Sequence, residues 1–484
     1  MVTETTPEAD APRTYELDDR PRDECGVFGI SGIDDSAELA FLALYALQHR
    51  GQEAAGIVAF DGTTLRTHKG NGLVSEVFDA TALSKLVGRT AVGHVRYSTA
   101  GGSELANVQP ITARFAHGDL ALAHNGNLTN QLALRTRLVN EGAIFRSSSD
   151  SETLVHLIAK SRADSVDGQI LDALGHLVGA FSMVISVGET LYAARDPRGF
   201  RPLILGGLGD GHVVVSETCA LDILGADFVR DIEPGEVLRI RGNEVIALTP
   251  LEPAPQHSPC VFELVYFARP DSRIFGVSVD RARRAFGRQL AREHPVEADS
   301  IISVPDSANS AALGYSEESG IPFELGLLRN HYVGRTFIKP HQKDRDFGAR
   351  MKYNPVREVL AGQRVVVVDD SLVRGTTSRS LVRMLREAGA AEVHLRIGSP
   401  PVRHPCFYGI DMPTKGELIG SQMEIPQIAE TLGVDSLGYL SLEGMVGAVE
   451  KAGPYCTACF SGAYPTPLAD VELGLASADG PPKC

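Results

Sequence analysis

The chain has 484 residues, 43% of them hydrophobic and 22% charged, with 61 acidic against 46 basic side chains and a formal net charge of −15. That length outgrows one core and implies two large domains; the acidic balance excludes a nucleic-acid partner, which needs a basic face, and no apolar run reaches the length of a membrane span. The start, 1–24, is acidic and lacks the apolar stretch of a secretory signal, so the seven cysteines are expected to be working thiols in a reducing, cytoplasmic compartment and not a disulfide scaffold.

In chain order, 1–24 reads as disordered. From Cys25 to about Leu248 short strands alternate with turn signals, among them Ala91–Arg96, Phe181–Ser186 and Glu236–Ile240. Ser36 to Leu47 reads as a mostly apolar helix capped by Ser36. Four prolines between Pro250 and Pro259 mark a linker. Beyond it strands at Ile301–Val304, Val365–Val368 and Val393–Ile397 alternate with helical patterns, which implies a parallel sheet. The end, from about 466 to 484, is rich in Pro, Gly and acid and is expected to be a flexible tail.

The most informative stretch runs from Val365 to Ser378. Four consecutive valines make a buried strand, Asp369 and Asp370 stand at its carboxyl end, and Gly375-Thr376-Thr377-Ser378 leads into a helix over Ser380–Leu385 that Gly389 can end. Ligands of open α/β sheets bind at the carboxyl ends of strands, and small residues opening a helix offer N–H groups to phosphate. The two aspartates would repel a bare phosphate; they suit ribose hydroxyls or Mg²⁺ bridging to a diphosphate. An Asp-Asp pair alone is most often a solvated turn, but its flanks supply the context of a phosphoribosyl site. The segment resembles the motif of type I phosphoribosyltransferases, which bind phosphoribosyl pyrophosphate (PRPP). The resemblance implies that Ser307, Asp369 and Asp370 hold the Mg²⁺ of PRPP. It also implies that Ser371, Arg374, Gly375, Thr376, Thr377 and Ser378 take the sugar phosphate, and that a mobile loop with Arg335 and Lys339 closes over the diphosphate.

In the first half, Cys25 precedes an apolar strand, where a cysteine is most often a small buried hydrophobe. The segments His49-Arg50-Gly51-Gln52-Glu53, His94-Val95-Arg96-Tyr97-Ser98-Thr99, His124-Asn125-Gly126-Asn127 and Ser149-Asp150-Ser151 change that reading. Together they resemble the glutamine amidotransferase domain of the N-terminal nucleophile type, a four-layer αββα fold. The resemblance implies Cys25 as nucleophile, with its own α-amino group as base, and therefore 1–24 as a propeptide removed before Cys25. It further implies Asn125 and Gly126 as the oxyanion hole. Arg96 and Asp150 are assigned to the carboxylate and ammonium of glutamine, and Arg50, Tyr97 and Thr99 to the pocket wall.

The fold expected is thus α/β, with an α+β amidotransferase domain over 25–255 and a phosphoribosyltransferase domain built on a parallel sheet over 256–465. The combination resembles the amidophosphoribosyltransferase family. It implies a homo-tetramer that passes ammonia internally from glutamine to PRPP, at the first committed step of purine synthesis, under inhibition by purine nucleotides. Four cysteines remain to be explained: Cys260, Cys406 and the pair Cys456-Thr457-Ala458-Cys459. Their spacing alone suits a redox pair, zinc or ordinary core. Resemblance to one branch of the family, which also carries a cleaved leader, implies a [4Fe–4S] cluster on these four thiolates. Cys219 and Cys484 receive no role. Two other readings are a PRPP-responsive repressor, disfavoured by the acidic charge and the intact Cys25 set, and a sugar-isomerising amidotransferase, disfavoured by Asp369-Asp370.

Overall fold

The computed structural model describes residues 25–97, 104–330, 352–449 and 453–480. The expected propeptide, Thr99, Arg335, Lys339 and Cys484 lie outside them.

The first domain is built on two antiparallel sheets. One has seven strands and contains β1 (Gly26–Ser31) beside β2 (Thr90–Arg96); the other has six and contains β3 (Gly118–Leu128). All six residues of β1 are buried, because its sheet is covered on both faces. Val27 joins Val92, Ala123, Val184 and Leu191 between the sheets. Phe28 and Ile30 point the other way, onto Ala40 and Leu44 of helix α1 (Ser36–Ala46). On the outer face of the second sheet, Leu122, Met183 and Ile185 meet Leu154 and Ile158 of helix α2 (Ser151–Lys160) and Ile170. The layers are therefore αββα, as expected.

In the second domain four parallel strands stand in sequence order, among them β4 (Ser300–Ser303) and β5 (Arg364–Asp369). The four valines of β5 divide by parity. Val365 and Val367 pack with Leu381 and Leu385 of helix α5 (Thr376–Glu387). Val366 and Val368 pack with Phe286 of α3 (Val279–Glu293) and Ala312 of α4 (Asn309–Ser319). All four are fully buried, each contributing about 1.5–3 kcal/mol. The cluster on that face continues without a break into the residues around α1, so the two domains share one core.

Two expectations are corrected. Ser36 does not cap α1 with its side chain; Asp35, in a left-handed conformation, is the N-cap, and the Ser36 hydroxyl donates instead to the Gly88 carbonyl at 2.9 Å. The tail is not free over its first part. Asp470 is buried, and its carboxylate accepts from Leu132 N and Ala133 N at 2.8 and 3.0 Å, capping the helix Gln131–Asn140 from the far end of the chain. Composition hid this because one well-placed carboxylate anchors an otherwise polar segment.

Two candidate active sites

Cys25 opens β1. Gly26 pairs with Val95, so Cys25 sits beside Arg96 at the end of the β1–β2 ladder. Its Sγ lies 3.5 Å from the Tyr97 carbonyl, so Tyr97 meets the thiol through backbone. Arg50, expected at the pocket wall, binds the backbone of Cys25 and two buried carboxylates. Its Nε donates to the Cys25 carbonyl at 3.3 Å, and its terminal nitrogens pair with Glu217 and, at 2.7 and 3.0 Å, with Glu263. It is 1% exposed and holds the Cys25 backbone. Burial opposes the charge on Glu217, but His49 and Arg50 outweigh it and keep the carboxyl well below its usual range.

Asn125 and Gly126 lie on β3 opposite Ser182 and Phe181. The Asn125 Nδ2 is buried and has no hydrogen-bond acceptor among the described residues, the state expected of a donor awaiting an oxyanion. Gly126 has φ of 146°, where a side chain would meet the Ala180 carbonyl. Asp150, the residue before α2, accepts from Leu128 N at 3.2 Å and from the Ser151 hydroxyl at 3.1 Å. Burial works against its charge, yet His124 and these hydrogen bonds prevail and hold its carboxyl below the usual range. Arg96 and Asp150 are both buried, 3% and 5% exposed, so a surface-charge reading of either is excluded.

The second site lies at the carboxyl ends of β4 and β5. The Ser307 hydroxyl donates to one oxygen of Asp370, the Ser371 hydroxyl donates to the other at 2.6 Å, and the Asp369 carboxylate accepts from Asp370 N at 2.9 Å. Two buried carboxylates and a hydroxyl within one hydrogen-bond network form an oxygen donor set that a hard divalent cation accepts. Arg374 reaches Glu417 at 3.2 Å, Gly375 turns the chain, and Thr376, Thr377 and Ser378 are the first residues of α5, whose opening turn has no side-chain cap.

Cys260, Cys406, Cys456 and Cys459 are buried at the join of the domains. The backbone brings their segments together: Cys456 N donates to Pro259 O at 2.8 Å, Val261 N to Cys456 O at 3.3 Å, and Arg403 N to Cys459 O at 2.9 Å. Burial pushes the Cys459 thiol well above its usual range, and Cys260, Cys406 and Cys456 push it further. Among the described residues no group of three or more His, Cys, Asp or Glu side chains is arranged to hold a metal ion. The donor chemistry fits a thiolate-held metal. Cys219 lies elsewhere, buried beside Glu217.

Sequence reading missed Glu217, Glu263 and Arg201. Glu263 left a signal, a lone carboxylate in the apolar run Val261-Phe262-Glu263-Leu264-Val265, which burial without a cation would forbid. It starts a five-residue π-helical turn, Glu263–Phe267, whose carbonyls at Leu264 and Tyr266 both accept from Arg283 at 2.8 Å.

Fold and sites define a glutamine amidotransferase joined to a phosphoribosyltransferase. A family model described as a glutamine amidotransferase domain matches residues 94–222. The amidophosphoribosyltransferase of Bacillus subtilis (strain 168) is 50% identical over 452 residues, 92% of this chain and 95% of its own length. The chloroplastic amidophosphoribosyltransferase 1 of Arabidopsis thaliana is 51% identical over 467 residues, covering 96% and 82%. The solved glutamine PRPP amidotransferase of B. subtilis, complexed with ADP and GMP, superposes with a TM-score of 0.87 at 49% identity, covering 92% of this chain and 98% of that one. The chain belongs to the amidophosphoribosyltransferase family.

Proposed function

We infer that this chain hydrolyses glutamine to glutamate and ammonia and transfers the ammonia to PRPP, releasing pyrophosphate and 5-phosphoribosylamine, in purine biosynthesis. One observation carries the reading: a single chain sharing one core holds both the Cys25–Asn125 site and the Ser307–Asp369–Asp370 site.

In the first half-reaction the Cys25 thiolate attacks the amide carbon of glutamine. Arg96 takes the substrate's carboxylate and Asp150, a standing anion, its ammonium. Asn125 Nδ2 and Gly126 N–H receive the oxyanion as it forms. The base is the α-amino group of Cys25, with an ordinary pKa of about 8, once residues 1–24 are removed. Ammonia leaves, and water releases glutamate from the thioester. Intact mass measurement on active enzyme is expected to find Cys25 as first residue; full activity with Met1 or Val2 in place overturns that step.

In the second half-reaction ammonia attacks C1 of the ribose as the diphosphate departs. Mg²⁺, held by Ser307, Asp369 and Asp370, would neutralise the leaving group. The opening turn of α5 offers its N–H groups to the 5-phosphate. The resemblance assigns closure over the diphosphate to Arg335 and Lys339. The four buried cysteines are proposed to hold a [4Fe–4S] cluster with a structural role, since the reaction exchanges no electrons. Iron analysis and visible absorbance are expected to find it; stoichiometric zinc without iron overturns it. Inhibition by purine nucleotides is supported by the B. subtilis relative described with ADP and GMP bound, and a homo-tetramer follows from the family resemblance.

The deciding assay is PRPP-dependent glutaminase with pyrophosphate release. Cys25→Ala is expected to abolish glutamine use yet retain synthesis from free ammonia, whereas Asp369→Ala loses both. Glutamine-dependent turnover in Cys25→Ala would sink the assignment.

A further inference from the structure

The end of β3, which carries Asn125 and Gly126, rests on two segments from outside the glutamine domain. The first is Phe407–Gly409. Asn127 Nδ2 donates to the Phe407 carbonyl at 2.9 Å. A Cβ on Gly409 would lie 2.9–3.1 Å from the Cα, carbonyl carbon and oxygen of Gly126. Gly409 also has φ of 108°, so this is a backbone-to-backbone contact that admits no side chain.

That segment is itself braced. The Tyr408 carbonyl accepts from Arg201 at 2.7 and 3.1 Å, and its ring stacks on Phe200 with centroids 4.3 Å apart. The Tyr408 hydroxyl accepts from Thr466 N and Oγ1, both at 3.1 Å. From Thr466 the chain runs directly to the second support. Thr129 Oγ1 donates to the Pro467 carbonyl at 3.0 Å, Asp470 N donates to the Thr129 carbonyl at 3.0 Å, and the Asp470 carboxylate caps the helix that follows β3.

We propose that Phe407–Gly409 and Thr466–Asp470 form a clamp that sets the position of the oxyanion-binding end of β3. Tyr408, Gly409 and Asp470 are then positioning residues for glutamine hydrolysis, supplied by the second half of the chain. The physical reason is tolerance. An oxyanion donor acts only within a few tenths of an ångström of its proper place, and a displacement of about 1 Å costs on the order of a hundredfold in rate. A buried strand end with free space behind it would not hold that position; a glycine backbone pressed against Gly126 does.

The proposal rests on the reading of Asn125 and Gly126 as the oxyanion hole, and the test separates the two. In Gly409→Ala, kcat for glutamine is expected to fall by about tenfold or more, with KM for glutamine within about twofold of wild type. Synthesis of phosphoribosylamine from free ammonia is expected to hold at the wild-type rate. An aldehyde analogue of glutamine, whose adduct with Cys25 places an oxyanion in the hole, is expected to bind more weakly by about the factor lost from kcat. Tyr408→Phe, which adds no atom, is expected to shift the same quantities in the same direction and carries the test if Gly409→Ala does not fold. Unchanged glutamine kcat in a folded variant, or equal loss with glutamine and ammonia, overturns the clamp. Asn125→Ala is the control: if it keeps full glutaminase the oxyanion reading fails, and if it loses activity while both clamp variants keep theirs, only the clamp fails.

Discussion

The guanidinium of Arg50 holds the Cys25 carbonyl, Glu217 and Glu263 at once, with every partner buried. Removing one member of such a set leaves an uncompensated charge, at a cost of about 3–5 kcal/mol. Glu263→Gln is therefore expected to lower thermal stability by several degrees and to slow glutamine hydrolysis more than synthesis from ammonia; calorimetry with paired assays checks both. His94 is a separate case. It is fully buried, its Nε2 donates to the His124 carbonyl at 3.1 Å, and its Nδ1 has no partner among the described residues. Burial pushes its pKa down from 6.5 to about 3. The native state refuses a proton that the unfolded chain takes below pH 6.5, so the His94 contribution is complete above pH 6.5 and is lost as the pH falls towards 3. Between pH 7 and 5 the loss is about 2 kcal/mol. Denaturant titrations at the two pH values are expected to show it in wild type and not in His94→Gln. The candidate residues at both sites stood out because Cys25, Asn125 and the paired Asp369 and Asp370 each sit in distinctive neighbours. The ion pairs of Arg50 were not legible because its motif marks position and says nothing of Glu217 and Glu263, which lie 167 and 213 residues away.

Among elements, β5 was the most readable. Unbroken valine is the pattern of a strand buried on both faces, and the observed parity split between two helical layers is its cause. Helix ends were less readable, since α1 starts from a left-handed Asp35 and not from the serine that follows. The helix Gln131–Asn140 has no local side-chain cap; Asp470 provides one from the C-terminal segment. Asp470→Ala is expected to cost about 1 kcal/mol, and Asp470→Asn less because its amide oxygen still accepts. Hydrogen exchange in the first turn of that helix would report the loss locally; unchanged protection there would contradict the capping role.

At the scale of the molecule, the two domains are not beads on the Pro250–Pro259 linker. The cluster that backs β1 runs into the faces of α3, α4 and β5, and Glu263 carries the ion-pair network across the join. The motifs divide the chain into two domains but could not reveal that they share a core, because burial partners distant in sequence leave no periodic trace. Removal of the metal proposed on the four cysteines is expected to loosen both halves together. Chelation under reducing conditions should lower the melting temperature of the whole chain in one transition; an independent first transition would show the halves to be uncoupled.

The bond between Thr129 and Pro467 joins residues 338 positions apart. A ribosome delivers Thr129 long before Pro467. The helix after β3 therefore gains its Asp470 cap only after that distant segment has been made. A chain cut short before Pro467 would carry every residue proposed to touch glutamine and lack the clamp proposed to position them. On the proposed clamp, glutamine hydrolysis reaches full rate only once the segment that follows the phosphoribosyl site is in place.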